Sequence, residues 1–268
     1  MAITTVAGAV SGMTYAIQYV KPASGTIVVG RPHSLFYLGG YPAAAAAPSP
    51  GIGGAVLTSY TNQIPFTNPT SGNTYLARFS GMANQTGTLM LCDRLWHNSG
   101  IDETSTAEQT FTSSAQIPAR DMNGTNSGHG VLAAVEVSTA TGAGTPVITF
   151  KYTDQDGNPD VTATEIVTTV ASSVAGSFYP IALASGDTGV QLAQSIQYNA
   201  TWTQGETHLV LYRVLSRLEI KVANTPFAND ALTCGFVRAY DNTVPFLVWI
   251  PTNNNSTGFS GEIIWTQG

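Results

Sequence analysis

Apolar and polar residues alternate along short segments of this chain, and Gly, Pro and Asn separate the segments. The longest alternation runs over residues 210–222, where the even-numbered positions are apolar except Ser216 and several odd-numbered positions are charged. A period of two places alternate side chains on opposite faces of a strand. Some of the leucines also fit a helical period, but the alternation covers more residues. The pattern therefore predicts a strand over residues 210–222.

Further short apolar runs recur at regular spacing and are bounded by turn-forming residues, which is typical of β-sandwiches and barrels. The predicted strands cover residues 88–92, 130–137, 147–153, 161–170, 231–240, 245–250 and 261–266. One or two helical turns are predicted within residues 102–110. The sequence thus predicts an all-β fold, an antiparallel β-sandwich or jelly-roll-like core with an extended N-terminal arm.

Residues 1–70 contain several prolines and only one predicted strand, at residues 26–29. Long segments without regular structure are usually disordered or laid against a partner, and aromatic residues favour the second alternative. We therefore expect an extended, Pro/Gly-rich arm over residues 1–70 and a β-sandwich core over residues 71–268, with a division near residue 125 as an alternative. The candidate interface residues of this arm are Phe36, Tyr37, Tyr41, Tyr60 and Phe66.

Charged residues are scarce: 10 Lys and Arg and 16 Asp and Glu make up 10% of the chain, against roughly 25% in an average domain. The net charge of −6 argues against a nucleic-acid partner, because binding to phosphates needs clustered cations. No long apolar run predicts a membrane span. No basic residue precedes Lys21, so we expect no secretory signal and folding in a cytoplasm.

No metal or cofactor is predicted. Residues 154–160 have the alternating carboxylates and the Gly of a calcium loop, with Glu165 where such a loop places its last ligand. The same residues are turn formers between two predicted strands, and a hairpin turn is the preferred interpretation. The histidines lack the spacing of zinc ligands. Cys92 and Cys234 lie in apolar runs and are interpreted as buried free thiols.

No catalytic residues are predicted either. The block from Asp93 to Gly100 contains an Asp, a His and a Ser, but triad residues meet in space rather than in sequence. We interpret this block, and the Arg120–Asp121 pair, as ion pairs that anchor loops. A pair of acids suited to glycoside hydrolysis stays open, as does a sugar-stacking role for three tryptophans if they are exposed. These are Trp202, Trp249 and Trp265.

Four segments resemble structural proteins encoded among the head genes of tailed bacteriophages. They are HSLFYLGGYP (His33–Pro42), QIPFTNPTSGNTYLAR (Gln63–Arg78), LCDRLWHNSGI (Leu91–Ile101) and FYPIAL (Phe178–Leu183). The resemblance lies in the texture and order of segments over most of the chain, and it includes no catalytic motif.

The resemblance implies a non-enzymatic virion component, assembled in the host cytoplasm. Within that class it is most like a decoration (cement) protein that sits on the capsid shell as a homotrimer and binds the major capsid protein. At 268 residues the chain is longer than many cement proteins, so a head fibre, a connector or a tail or baseplate protein is the alternative. A carbohydrate-binding or carbohydrate-active β-sandwich is the alternative from a different class.

Overall fold

Strands account for most of the regular structure in the computed structural model, which describes residues 3–25, 27–163 and 167–268. The strands are β1 Ile17–Lys21, β2 His33–Ser34, β3 Ala55–Val56, β4 Thr74–Ala83, β5 Gly87–His97, β6 Gln109–Thr110, β7 Val131–Thr139, β8 Val147–Asp154, β9 Val161–Thr162, β10 Val167–Thr168, β11 Phe178–Ile181, β12 Val190–Tyr198, β13 Glu206–Ile220, β14 Phe227–Asp230, β15 Arg238–Ala239, β16 Pro245–Pro251 and β17 Phe259–Gln267. Two short helices are α1 Val6–Ser11 and α2 Ala231–Cys234. The fold is all-β, and its sheets are antiparallel and packed as a sandwich.

The chain divides into two compact units that each combine distant segments. Unit 1 consists of Met1–Ala45, Thr58–Asp93 and Val214–Gly268, and unit 2 consists of Ala46–Leu57 and Arg94–Arg213. The chain passes from one unit to the other inside β5 and inside β13, so both strands contribute to both units.

Unit 1 has a sheet in the order β1-β17-β4-β14, in which β15 also pairs with β4. The unit-1 part of β5 pairs with β16, and β16 pairs with β2. Alternation explains the burial in β17: Phe259, Ile263 and Trp265 point into the core, while Ser260 and Glu262 are partly exposed. A cluster of leucines and aromatic rings, including Phe79 and Trp249, fills the interior.

The ring of Tyr19 occupies space that two glycines leave in this core. Gly81 and Gly261 are direct partners in the β4–β17 register, and Tyr19 is the β1 partner of Gly261. The Tyr19 hydroxyl donates a hydrogen bond to the backbone oxygen of Ser80 at 2.8 Å. A Cβ on Gly261 would collide with this hydroxyl and with the same backbone oxygen. Glycine is therefore needed here for close approach.

Unit 2 has a sheet in the order β10-β8-β12-β6, with β9 on the edge of β8. A second set of strands consists of β11, β7 and the unit-2 part of β13. The core between them contains Phe150, Tyr152, Tyr198 and Trp202, all completely buried. Residues 207–213 of β13 are buried on both faces, whereas residues 216–220 alternate between buried and less buried positions.

Most of the predicted strands are confirmed. The predictions at residues 88–92, 130–137, 147–153, 210–222, 245–250 and 261–266 correspond to β5, β7, β8, β13, β16 and β17. The prediction at 161–170 corresponds to two short strands, β9 and β10, and residues 164–166 between them lie outside the described residues.

Three local predictions were wrong. Residues 231–240 form α2 and the short strand β15, because Asp230 caps α2 by accepting hydrogen bonds from Leu232 and Thr233. Residues 102–110 form no helix, because Asp102 accepts hydrogen bonds from the backbone and hydroxyl of Thr104 in a turn instead. Residues 27–29 are not in a strand, and Thr26 lies outside the described residues.

The structure also differs from the expected boundaries at residue 70 and near residue 125, because neither is a boundary between the compact units. Residues 3–70 contain little regular structure, but they pack on the chain's own cores: Tyr19, Ile27, Leu35 and Ile64 belong to the buried cluster of unit 1. The Lys21 ammonium donates hydrogen bonds to two backbone oxygens of the segment that follows, at 2.8 and 2.7 Å. The segment therefore remains packed on the protein although it contains several prolines.

Candidate functional site

The predicted interface residue Phe36 is part of an aromatic cluster inside unit 1. Its ring centroid lies 5.6 Å from Tyr37, 5.2 Å from Tyr60 and 6.0 Å from Phe246. Phe36 itself is only 4% exposed. This cluster attaches the segments that contain Phe36 and Tyr60 to strand β16, so these rings stabilise unit 1.

The two remaining predicted interface residues differ from each other. Phe66 is partly buried and packs edge-to-face on Trp265, with 5.3 Å between the ring centroids. Tyr41 is 56% exposed and pairs with Val20 through two backbone hydrogen bonds. Among the five predicted residues, Tyr41 is therefore the one whose ring is available to a partner.

Exposed apolar side chains are concentrated in unit 1. Among the described residues, all the large hydrophobic side chains that are exposed belong to this unit, except Met122 of unit 2. Those of unit 1 are Val6, Val10, Met13, Tyr15, Val20, Val28, Val29, Tyr41, Val222, Leu232 and Phe236. Contiguous exposed apolar surface marks sites of interaction in soluble proteins.

Helix α1 presents part of this surface, which sequence reasoning missed. Thr5 caps the helix by accepting a hydrogen bond from the Gly8 amide at 3.0 Å. Val6 and Val10, one turn apart, are 66% and 58% exposed, whereas Ala9 is buried. The signal in the sequence was a capping Thr followed by valines at a helical spacing.

A cavity of about 300 Å³ connects helix α1 with the segment after α2. Its lining includes Thr5, Val6, Tyr75 and Phe236, and the last two rings pack edge-to-face at 6.2 Å. We call the side chains of Val6, Val10, Tyr75 and Phe236 the apolar surface. A cavity beside exposed hydrophobic side chains suits the insertion of an apolar side chain from a partner.

A wider groove of about 540 Å³ lies on the β1-β17-β4-β14 sheet of unit 1. Its lining alternates along the strands and includes Gln18, Val20, Met82 and the ion pair between Arg78 and Glu262 at 3.4 Å. Both charged side chains are partly exposed, 47% and 31%. This mixed surface can make polar contacts, but it contains no buried charge aimed at a ligand.

The titratable groups around the block at Asp93 are embedded in the protein. The first five residues of the block, Asp93 to His97, belong to strand β5, and Arg94 pairs with Glu136. The distance from Arg94 Nη2 to Glu136 Oε2 is 2.7 Å, and both side chains are fully buried. Asp93 accepts a hydrogen bond from the Val244 amide in unit 1. The expected Asp–Arg pair was wrong because adjacent strand residues point to opposite faces.

Two histidines accompany this pair in unit 2. Arg94 Nε donates a hydrogen bond to His97 Nδ1 at 3.0 Å. Burial, assisted by the charge of Arg94 and by His208, lowers the pKa of His97 to about 2. His208 contacts Ser138 through Nε2 at 2.8 Å, and burial lowers its pKa as well. These neutral, buried rings stabilise the packing of unit 2.

Arg120 and Asp121 make hydrogen bonds to different parts of unit 2. Arg120 donates hydrogen bonds to the backbone oxygens of Leu57 and Arg94. Asp121 accepts hydrogen bonds from Thr125 and from other groups of the loop that follows. Burial alone would raise the pKa of Asp121, but these hydrogen bonds outweigh it and the pKa is lowered. The loop is anchored as expected, and hydrogen bonds accepted by Asp121 contribute to that anchoring.

Residues 154–160, which have the pattern of a calcium loop, form a turn. Groups within this turn donate hydrogen bonds to its first carboxylate, Asp154. Asp154 accepts hydrogen bonds from the Asp156 amide and from the backbone and side-chain nitrogens of Asn158, at 2.8 to 2.9 Å. Glu165, the residue at the position of the last ligand, lies outside the described residues. Within the described ranges, no group of three His, Cys, Asp or Glu side chains is arranged to hold a metal ion.

The tryptophans considered as sugar-stacking residues are buried. Trp202 and Trp249 are completely inaccessible and Trp265 is 2% exposed, so none offers a ring face to a sugar. Cys92 is a buried free thiol, and burial raises its pKa. The side chain of Cys234 lies outside what the structure describes.

No helix in the described part of the chain is long and apolar enough to cross a membrane. No protein-family model matches the sequence, and no curated protein matches it.

Three solved structures are similar to this chain over most of its length. VP2 in the subviral particle of infectious bursal disease virus is 8% identical, with 96% of this chain and 82% of that chain covered and a TM-score of 0.20. A structure of the Gt strain of the same virus is 9% identical, with 95% and 82% covered and a TM-score of 0.19. The VP1 pentamer of Human Polyomavirus 6 is 9% identical, with 96% and 94% covered and a TM-score of 0.17. At TM-scores this low, function has to be argued from the chain's own residues.

Proposed function

We propose that this protein is a non-enzymatic virion structural protein that decorates and stabilises a phage capsid shell. The observation that carries the proposal is the concentration of exposed apolar side chains in unit 1, with Met122 as the exception in unit 2. Such exposure costs solubility unless a partner covers it. In this proposal unit 1 is the binding unit.

The state of the polar residues supports a binding role over a catalytic one. Arg94, Glu136, His97 and His208 are held in the interior of unit 2, where a substrate would have to displace packed strands. The carbohydrate alternative loses its support because the three candidate tryptophans are buried. The resemblance to phage head proteins is the reason for proposing a phage virion as the assembly to which this protein binds.

The proposed partner is the major capsid protein, bound by a homotrimer of this chain, with no nucleic acid and no membrane in the contact. Repeating a weak apolar contact over three subunits raises the overall affinity through effective concentration. The proposed location is the virion, after assembly in the host cytoplasm. Because the chain is longer than many cement proteins, a head fibre, a connector or a tail or baseplate protein is the second candidate.

The test mixes the purified protein with capsid shells that lack it and measures co-sedimentation and the melting temperature of the shells. The variant Val10→Glu disrupts the apolar surface of unit 1, and Met122→Ser is the matched control on unit 2. We expect wild-type protein and Met122→Ser to bind and to raise the melting temperature, and Val10→Glu to lose at least tenfold in affinity.

Light scattering on the free protein tests the trimer separately. Binding to tails or connectors but not to shells would favour the second candidate. Failure to bind any virion component, or hydrolysis of a polysaccharide by the same sample, would overturn the proposal. Equal binding by Val10→Glu and wild type would show that unit 1 uses a different surface.

A further inference from the structure

A chain of polar groups leads from the interior of unit 2 to its surface where β13 begins. His208 is fully buried, and its Nε2 lies 2.8 Å from Ser138 Oγ. Ser138 Oγ lies 3.0 Å from Glu206 Oε2, and the Glu206 side chain is 42% exposed. A buried imidazole is therefore connected to solvent through one hydroxyl and one carboxylate.

The hydrogen-bond partners restrict the protonation of this ring. His208 Nδ1 lies 2.9 Å from the backbone oxygen of Asn98, which can only accept, so Nδ1 carries a hydrogen. In the neutral ring Nε2 must then be an acceptor, and it competes with Glu206 Oε2 for the single hydroxyl hydrogen of Ser138. In the cationic ring Nε2 donates to Ser138, and that hydrogen becomes available to Glu206.

The charged and titratable groups that surround His208 come from three strands. Strand β5 contributes Arg94 and His97, β7 contributes Glu136, and β13 contributes Glu206, whose Oε1 is 3.9 Å from His208 Nε2. Burial is the largest influence and lowers the pKa of His208, and Arg94 acts in the same direction. Glu136, Glu206 and the Asn98 carbonyl favour the cation and oppose this effect.

We propose that His208, Ser138 and Glu206 form a proton-operated switch, in which proton uptake by His208 ends the competition for the Ser138 hydroxyl hydrogen and commits that hydrogen to Glu206. The proton comes from solvent and resides on Nε2, and no covalent bond other than N–H changes. The hydroxyls of Ser138 and Thr139, which lie 3.0 and 3.2 Å from Glu206 Oε2, then both donate to the surface carboxylate.

The switch acts at an irregular point of the sheet. The pairing of β7 with β13 shifts register between Glu206 and Thr207. Thr207 is fixed from the other side by Glu103, which accepts hydrogen bonds from its amide at 2.5 Å and its hydroxyl at 2.7 Å. Acidification would therefore order the exposed Glu206 side chain beside this register shift.

Nitrogen-15 NMR of the imidazole rings in the full-length protein tests this proposal as a pH titration. In wild type we expect Nδ1–H and an unprotonated Nε2 at neutral pH, followed by protonation of Nε2 at acidic pH while the amide spectrum stays folded. Glu206→Gln should lower the pKa of His208 further, because it removes the nearby negative charge. Ser138→Ala should lower it as well, because the acceptor for Nε2–H is lost.

Glu219→Gln, a change to an exposed residue of β13 in unit 1, is the matched control and should leave the His208 titration unchanged. Glu206 is also largely exposed, so Glu206→Gln remains decisive if Ser138→Ala does not fold. An unprotonated Nδ1 at neutral pH, identical titrations of wild type and Glu206→Gln, or protonation of His208 only upon unfolding would each overturn the proposal.

Discussion

Arg94 and Glu136 form an ion pair in which neither side chain has any exposed surface, with 2.7 Å between Nη2 and Oε2. Removing both charges from water is costly, and the pair is stable only while both partners are present. Arg94 lies on β5 and Glu136 on β7, so the pair connects two strands that are distant in sequence.

Loss of one partner of this pair should destabilise the protein strongly. We expect Glu136→Gln to lower the free energy of unfolding by about 3–5 kcal/mol, because the Arg94 charge stays buried without its counter-ion. Urea denaturation followed by circular dichroism measures this change. The control is Glu262→Gln in the exposed pair with Arg78, which should cost no more than about 1 kcal/mol. Equal effects of the two variants would contradict this account.

The aromatic residues of the N-terminal segment should separate into structural and exposed groups. Phe36→Ala should cost about 3–5 kcal/mol, because it leaves a cavity among Tyr37, Tyr60 and Phe246. Tyr41→Ala should change stability by less than about 1 kcal/mol, because its ring is 56% exposed. Thermal and urea unfolding of both variants measures the difference. A stable Phe36→Ala variant would restore the interpretation of this segment as a detached arm.

Gly261 should not tolerate a methyl group. We expect Gly261→Ala to cost about 1–3 kcal/mol, because the new Cβ displaces the Tyr19 hydroxyl and crowds the backbone of β4. Gly39→Ala is the matched control, because nothing lies within 4 Å of a Cβ built there. Melting temperatures of the two variants test the prediction. It fails if the melting temperature of Gly261→Ala equals that of wild type.

His97 should make the protein sensitive to acid. Its pKa in the folded protein, about 2, lies below the value of about 6.5 in an unfolded chain. As the pH falls below about 6.5, only the unfolded state binds this proton, so stability decreases by about 1.4 kcal/mol per pH unit for each such group. The loss continues until the pH reaches the folded-state pKa.

Urea midpoints between pH 7 and pH 5 measure this dependence. We expect His97→Gln to reduce the slope of the unfolding free energy against pH by the contribution of about one proton. The glutamine side-chain oxygen can still accept the hydrogen bond from Arg94. If the unfolding free energies of wild type and His97→Gln had the same slope against pH, His97 would already be protonated, or accessible to solvent, in the folded state.

Alternation along the sequence was enough to identify β13, and short apolar runs bounded by turn-forming residues identified β7 and β16, which are buried at most positions. The hydrophobic nature of Cys92 was likewise readable from its apolar neighbours. The turn at Asp154 followed from local chemistry, since Asp and Asn can satisfy the backbone over a few residues.

Only the tertiary structure decided where the irregular residues go. Phe36 is buried because residues brought from position 246 cover it, and nothing near Phe36 in the sequence reveals that. The same holds for Arg94 with Glu136 and for His208 with Ser138, whose partners are 42 and 70 residues apart in the chain. The two units are also made of distant segments joined through β5 and β13. Local sequence determines periodicity and turns, whereas the burial of a charge or a ring depends on which distant strand supplies its partner.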